Sequence, residues 1–236
     1  MKTIIHKADS RGHAARGWLD AHHTFSFADY SDASRTHFGV LRVLNDDKIA
    51  GGTGFPPHPH DNMEIITIPL SGALEHKDSM GSEGVISKNE IQIMSAGTGL
   101  RHSEANASAT EELKLLQIWL FPNRKNVEPR YQQFALQRED RKNNLQQIIS
   151  PDANDEGGWI HQDAWFYLGD LDAGFETTYN FKNPASGLYV FVISGEVKIG
   201  GEALETRDGL AITEAQSVEI KADSDSEILL MEVPLR

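Results

Sequence analysis

The chain has 236 residues, with 22 Lys+Arg against 35 Asp+Glu and a formal charge of −13. Its 39% apolar and 24% charged residues describe a folded globular chain, which excludes a collagenous or wholly disordered one. The acidic excess argues against direct nucleic-acid binding, and the lack of cysteine removes disulfides, thiolate metal sites and a cysteine nucleophile together.

No run approaches 18 apolar residues, and the opening MKTIIHKADSRGH lacks the apolar stretch of a secretory signal. A cytoplasmic chain with no membrane partner is therefore expected. Residues 1–135 hold 14 Lys+Arg and 16 Asp+Glu, net −2, whereas residues 136–236 hold 8 and 19, net −11. Nine of the ten histidines lie in the first 102 residues, and only His161 lies beyond. One half can assemble a histidine-rich site and the other cannot.

In chain order, the arm before residue 28 carries His22, His23, Phe25 and Phe27, aromatics expected to cover a barrel end. Strand-like runs follow at Phe38–Leu44, Met63–Pro69, Glu90–Ser95 and Leu113–Phe121, bounded mostly by Gly, Asn, Asp or Ser. Glu128–Arg141 is the best helix candidate, with Pro129 suited to its first turn, and reads as a connection between domains. Further strands are expected at Leu188–Ser194, Gly209–Thr213, Ser217–Lys221 and Glu227–Val233. Trp119, Phe121, Phe191 and Val192 read as core.

A faint repeat joins the halves. Ile68-Pro69-Leu70-Ser71-Gly72 precedes Asn89-Glu90-Ile91-Gln92-Ile93, and Val192-Ile193-Ser194-Gly195 precedes Asp208-Gly209-Leu210-Ala211-Ile212. The expected fold class is all-β, with two consecutive jelly-roll sandwich or barrel domains and few short helices. The domains are expected at 1–135 and 136–236.

The chemistry gathers in two short stretches. His58 and His60 are two apart, so on an extended segment both imidazoles point to one side. His102 and Glu104 repeat that spacing after Gly97-Thr98-Gly99, whose glycines would allow a tight turn at the barrel mouth. Three imidazoles and one carboxylate, from His58, His60, His102 and Glu104, would hold a divalent transition metal. Glu64 is an alternative source of the carboxylate. Ser103, between His102 and Glu104, would point away from them, against a serine hydrolase. His76 reads as a structural strand-end residue. His6, His13 and His37 show no partner pattern. Arg101 reads either as a surface ion pair or as a partner for a substrate oxygen.

Gly52, His58, His60 and Glu64 resemble the first cupin motif, with the closing Gly72 one residue late. Gly99, His102 and Asn106 resemble the second, with Gly97 where that motif has proline. The words Met63-Glu64-Ile65, Gly72-Ala73-Leu74-Glu75-His76-Lys77-Asp78-Ser79, Met94-Ser95-Ala96-Gly97 and His23-Thr24-Phe25-Ser26-Phe27 resemble the pirin family of two-cupin proteins. The bacterial pirin-like quercetin 2,3-dioxygenases are the nearest resemblance. It implies a metal held by His58, His60, His102 and Glu104, foremost Fe(II) with Cu, Ni, Mn, Co or Zn as alternatives. Glu64 would then sit behind the ligands or in a salt bridge. The resemblance also implies a flavonol substrate such as quercetin, opened by O2 with release of CO, and Glu104 would take the substrate proton. The second half is expected to be a degenerate cupin. Counting back from Gly195 puts Phe181 and Asn183 where His58 and His60 stand. Some pirins are regulatory proteins whose metal governs contact with a partner, and the acidic half would then be a protein-interaction surface. A cupin enzyme with another substrate is the third reading.

Overall fold

The computed structural model describes residues 1–235. It is nearly all-β, with 22 strands and two short 3-10 turns, Ala8–Ser10 and Arg138–Arg141. The arm supplies β1 (Lys2–His6), β2 (Gly12–Ala15) and β3 (Leu19–His23). The first jelly roll follows as β4 (Leu41–Ile49), β5 (Gly54–His60), β6 (Glu64–Ser71), β7 (Ala73–Asp78), β8 (Glu83–Ser87), β9 (Glu90–Ser95), β10 (Leu100–Asn106) and β11 (Leu113–Leu120), with β12 (Arg130–Ala135) at its edge. After β13 (Gln146–Ser150) and β14 (Gly158–Trp159), the second comprises β15 (Trp165–Leu171), β16 (Glu176–Asn180), β17 (Ser186–Ser194), β18 (Glu196–Ile199), β19 (Glu202–Glu205), β20 (Gly209–Thr213), β21 (Ser217–Ala222) and β22 (Ser226–Pro234).

The two jelly rolls correspond strand for strand. Their seven-stranded sheets run β12-β9-β6-β11-β4-β3-β2 and β1-β20-β17-β22-β15-β13-β14. Their four-stranded sheets run β5-β10-β7-β8 and β16-β21-β18-β19. The Ser-Gly repeat is the turn after β6 and after β17. Gly72 (φ 76°) and Gly195 (φ 89°) make it; a side chain at Gly195 would strike the backbone of Asp225 and Ser226, and one at Gly72 would crowd that of Leu113. Thus β1 occupies in the second sheet the edge that β12 occupies in the first, although it comes from the other end of the chain. It pairs with β20 from Lys2↔Thr213 to His6↔Gly209.

The stretch expected to be helical, Glu128–Arg141, is instead β12 followed by a single 3-10 turn. The free edge of β9 decides this. Arg130–Ala135 pairs with Ser95–Glu90 residue by residue, and Gln133 Nε2 donates to the Val85 carbonyl at 2.9 Å. Ladder pairing outweighs a weak helical preference. The strand expected at Phe38–Leu44 begins at Leu41 and runs on to Ile49, carrying the polar Asn45-Asp46-Asp47 inside it. Phe121, expected in the core, lies past the end of β11 and is 41% exposed.

Three apolar regions hold the molecule together. The large sheets pack back to back through Leu44, Ile66, Ile118, Phe166, Tyr189, Phe191 and Met231. Strands sandwiched this way are apolar on both faces, as in Leu188–Ile193. Inside the second jelly roll, Val190, Val197, Ile199, Leu210, Val218, Ile220 and Leu230 join one continuous cluster. Inside the first, the apolar residues fall into two separate groups. Ile49, Leu74, Leu113 and Leu115 form one, and Ile65, Met94 and Leu100 the other. The gap between them is polar and holds a cavity lined by Asn45, Asp47, His58, Glu104 and Gln117.

Candidate metal centre and its pocket

Antiparallel pairing of β5 with β10 sets His58 opposite His102, and His60 lies two residues further along β5 on the same face. Three prolines, Pro56, Pro57 and Pro59, are tolerated because β5 is the edge of its sheet. One ligand nitrogen from each histidine falls within 4.8 Å of the others. The ring centroids are 4.4 Å apart for His58–His102, 4.9 Å for His58–His60 and 5.0 Å for His60–His102.

Burial drives the protons off His60 and His102. The His60 pKa is lowered to about 4 and that of His102 to about 2, first by desolvation and then by the neighbouring imidazoles. Neutral imidazoles carry the lone pairs that a metal needs. Nε2 of His60 and Nε2 of His102 are both buried with no hydrogen-bond partner. His58 Nδ1–H donates to the Pro56 carbonyl at 2.9 Å, which leaves its Nε2 free. Behind His102, Asp78 accepts from His76 Nε2–H at 3.3 Å. Nδ1 of His76 therefore faces Nδ1–H of His102 across 3.5 Å, again leaving Nε2 of the outer ring free. His76, expected to be structural, orients a site histidine and stacks on Tyr131 at 4.8 Å. The orphaned nitrogens and the all-imidazole donor set fit a first-row divalent metal.

Glu104 projects inward from β10, as does His102, while Ser103 between them points away. Its carboxylate lies outside the 4.8 Å that encloses the imidazole nitrogens. Gln117 Nε2 donates to both oxygens at 2.8 Å, and Thr67 Oγ1 stands 3.5 Å from Oε1. Burial pushes its pKa up to about 7. Glu64 is elsewhere. It accepts from Ser95 Oγ at 2.7 Å and from the backbone N–H of His161, and burial raises it to about 7. It stands against the connection to the second jelly roll rather than among the imidazoles. Arg101 forms no ion pair among the described residues; it donates to the Pro57 carbonyl at 2.8 Å and so braces β5.

Next to the histidines opens a cavity of about 250 Å³. Leu19, Ala21, Phe27, Phe55 and Trp119 give it apolar walls, and His23, Asn45, Asp47, Glu104 and Gln117 form a polar side. An engineered apolar cavity of ~150 Å³ holds benzene, so this one exceeds a single ring. His23 and Phe27, expected only to cover a barrel end, line it, as does Trp119, expected to be core. Phe25 does reach the core, edge-on to Tyr189. Trp119 meets His60 edge to face at 4.8 Å. Asn45, Asp47 and Gln117 belong to no motif in the sequence. Their signal was a polar residue at an inward position of an otherwise apolar strand. A larger cleft of about 840 Å³, between Phe134–Gln137 and Gln146–Gln147, contains no histidine. His13, read as unpartnered, stacks on His22 at 4.5 Å and lies 2.7 Å from Asp20 on the outer face of the arm.

In the second jelly roll, pairing places Tyr179 opposite Val218, where His58 faces His102 in the first. The counterparts of His58 and His60 are thus Tyr179 and Phe181, two positions before those that counting from Gly195 indicates. No group of three or more potential metal-ligating side chains occurs there among the described residues.

Residues 5–120 match the family model for pirin, and residues 147–233 match that for the quercetinase C-terminal cupin domain. The chain is 46% identical over 230 residues to quercetin 2,3-dioxygenase of Escherichia coli K12, spanning 98% of both chains. It is 39% identical over 225 residues to a pirin-like protein of Caulobacter vibrioides, spanning 95% of this chain and 96% of that one. The crystal structure of the bacterial pirin YhhW from E. coli in complex with nickel(II) aligns with a TM-score of 0.94 at 44% identity, spanning 99% of both chains.

Proposed function

The chain belongs to the pirin family, and on that premise we propose that it is a metal-dependent dioxygenase that opens a flavonol such as quercetin with O2 and releases CO. One observation carries the reading: three imidazoles converge, two of them with buried unpartnered Nε2, beside an aromatic-walled pocket larger than one ring. The E. coli relative named quercetin 2,3-dioxygenase and the nickel-bound pirin supply the chemical class.

In this proposal His58, His60 and His102 would hold the divalent metal, foremost Fe(II), and Glu104 would complete the set. The bound ion would lower the pKa of the flavonol hydroxyl and supply the one-electron chemistry that dioxygen needs. The chain supplies the rest. Phe27, Phe55 and Trp119 grip the rings and exclude water. The Asp78–His76 pair keeps the Nε2 lone pair of His102 turned to the site. Glu104, raised to about 7 by burial, is matched to accept the hydroxyl proton near neutral pH, and Gln117 holds its carboxylate in place. The second jelly roll carries no chemistry and buttresses the first through the shared apolar layer.

The test is aerobic turnover of quercetin by the iron-loaded protein, with CO measured, against His58→Ala. Ring opening with one CO per quercetin, lost in the variant, is the expected result. A protein that keeps one metal per chain and opens no flavonol with iron, nickel, cobalt, manganese or copper would overturn the proposal.

A further inference from the structure

One carboxyl in the pocket has no part in that chemistry. Asp47 lies near the middle of β4, two residues from Asn45, and is 3% exposed. Its side chain lines the cavity, and its Oδ1 is buried with no hydrogen-bond partner. Native proteins rarely leave such an atom unsatisfied, because its hydration is lost and nothing replaces it. The other polar groups of that wall are already committed. His23 Nδ1 bonds Asn45 Oδ1 at 2.9 Å, and Gln117 bonds Glu104.

We propose that Asp47 is a substrate-anchoring subsite, which takes a hydroxyl group of a ring-bearing substrate and selects hydroxylated aromatics over their unsubstituted analogues. This rests on the flavonol reading and deepens it. The surroundings choose the ligand chemistry. Among the described residues no cation meets Asp47. Arg11 reaches Asp46 and Lys48 reaches Asp20, whereas the carboxylates near Asp47 are Asp46, Glu104 and Asp20. Burial and those three neighbours push its pKa up to about 8, so the group stays neutral at pH 7. A neutral carboxyl both donates and accepts, which suits an alcohol or phenol. The acidic neighbourhood repels carboxylate and phosphate ligands. The rest of the cavity, with Leu19, Phe27, Phe55 and Trp119, takes the aromatic body. In the second jelly roll the register puts Gly169 at this position, so the group belongs to the site-bearing half alone.

The experiment is anaerobic calorimetric titration of the zinc-loaded protein, where the absence of O2 prevents turnover, with quercetin and with unsubstituted flavone. Asp47→Leu fills the same space without a polar atom, and Asp47→Asn keeps a donor and an acceptor. Asp47→Leu is expected to weaken quercetin about tenfold and leave flavone within about twofold, with metal content unchanged. Asp47→Asn is expected to restore quercetin to within about threefold of the native protein. Equal losses for both compounds, no loss for either, or a native protein that binds neither would each overturn the subsite. Native protein that binds quercetin in this pattern but does not open it with iron overturns the catalytic reading alone.

Discussion

Val218 stands in the second jelly roll where His102 stands in the first, and Ile220 stands where Glu104 does. The same register sets Leu230 against Gln117, Val190 against Thr67, Leu210 against Gln92 and Ile199 against His76. One backbone thus carries two interiors. The apolar one closes into a single cluster, and the polar one splits its hydrophobic residues into two groups with a cavity between them. The second domain shows that the jelly roll closes without a polar interior, so the fold alone does not call for the buried polar residues of the first. The carboxylates make the same point. Glu232, deep in the second domain, accepts from Tyr179 Oη at 2.6 Å and from the N–H groups of Lys182 and Asn183 at 2.8 Å. Glu104 accepts only side-chain donors and faces the cavity.

The contrast can be broken most severely at the ligands. His102→Val, the residue of the second domain, is expected to take metal from one per chain to none by elemental analysis. It is also expected to lower turnover at least ~100-fold. Retained metal would mean that His102 is not a ligand. The reverse cut, Ile220→Ala, opens a cavity in the apolar interior and is expected to cost about 2–5 kcal/mol in urea unfolding, with metal content unchanged. Loss of metal in that variant would show that the halves are not separable in this sense.

Glu64 faces Gly187 across the comparison and should show its difference as a pH effect. Its folded carboxyl titrates near 7, against 4.5 for an unperturbed group, so the folded state holds the proton more tightly. Its contribution is fully present below pH ~4.5 and is lost as pH rises through ~7. Relative to Glu64→Gln, which mimics the protonated form, the native protein should lose on the order of 2 kcal/mol between pH 5 and 8. A flat difference, or loss of metal in the variant, would contradict this placement of Glu64. The smallest effect is expected from copying the apolar interior into the first domain. Glu104→Ile with Gln117→Leu removes a buried carboxyl together with the amide that donates to it at 2.8 Å. In the metal-free protein it should raise stability by about 1–2 kcal/mol while metal binding fails. A net loss of stability would mean that the polar interior also serves folding.

What the chain reveals before folding follows from how local each signal is. The His-x-His and His-x-Glu spacings are local, and so are the Ser-Gly turns, so the imidazole cluster and the repeat are visible in one dimension. Glu90–Ser95 and Gly209–Thr213 form strands with the expected bounds because their punctuation is local as well. Arg130–Ala135 is a strand only because β9 offers an edge, a fact absent from its own residues. The pocket is harder to see for the same reason. Asp47, Gln117, His23 and Trp119 come from three strands far apart in the chain, and only sheet register brings them to one cavity. Polar side chains inside apolar strands were the readable trace of it. Read as strand ends, they cut the expected β4 short at Leu44.

The edge strand β1 ties the order of synthesis to the order of folding. Its partner β20 leaves the ribosome some two hundred residues later, a delay of about 10–40 s at ordinary elongation rates. Through that interval the first jelly roll can assemble completely, since β2–β12 are contiguous, while Lys2–His6 must wait beside it without a sheet to join. The second jelly roll closes only when a segment already anchored to the first is handed over. A nascent chain stalled after β19 would therefore display an unclaimed strand, and a fragment that starts after residue 135 would leave the matching edge of β20 bare and prone to self-association.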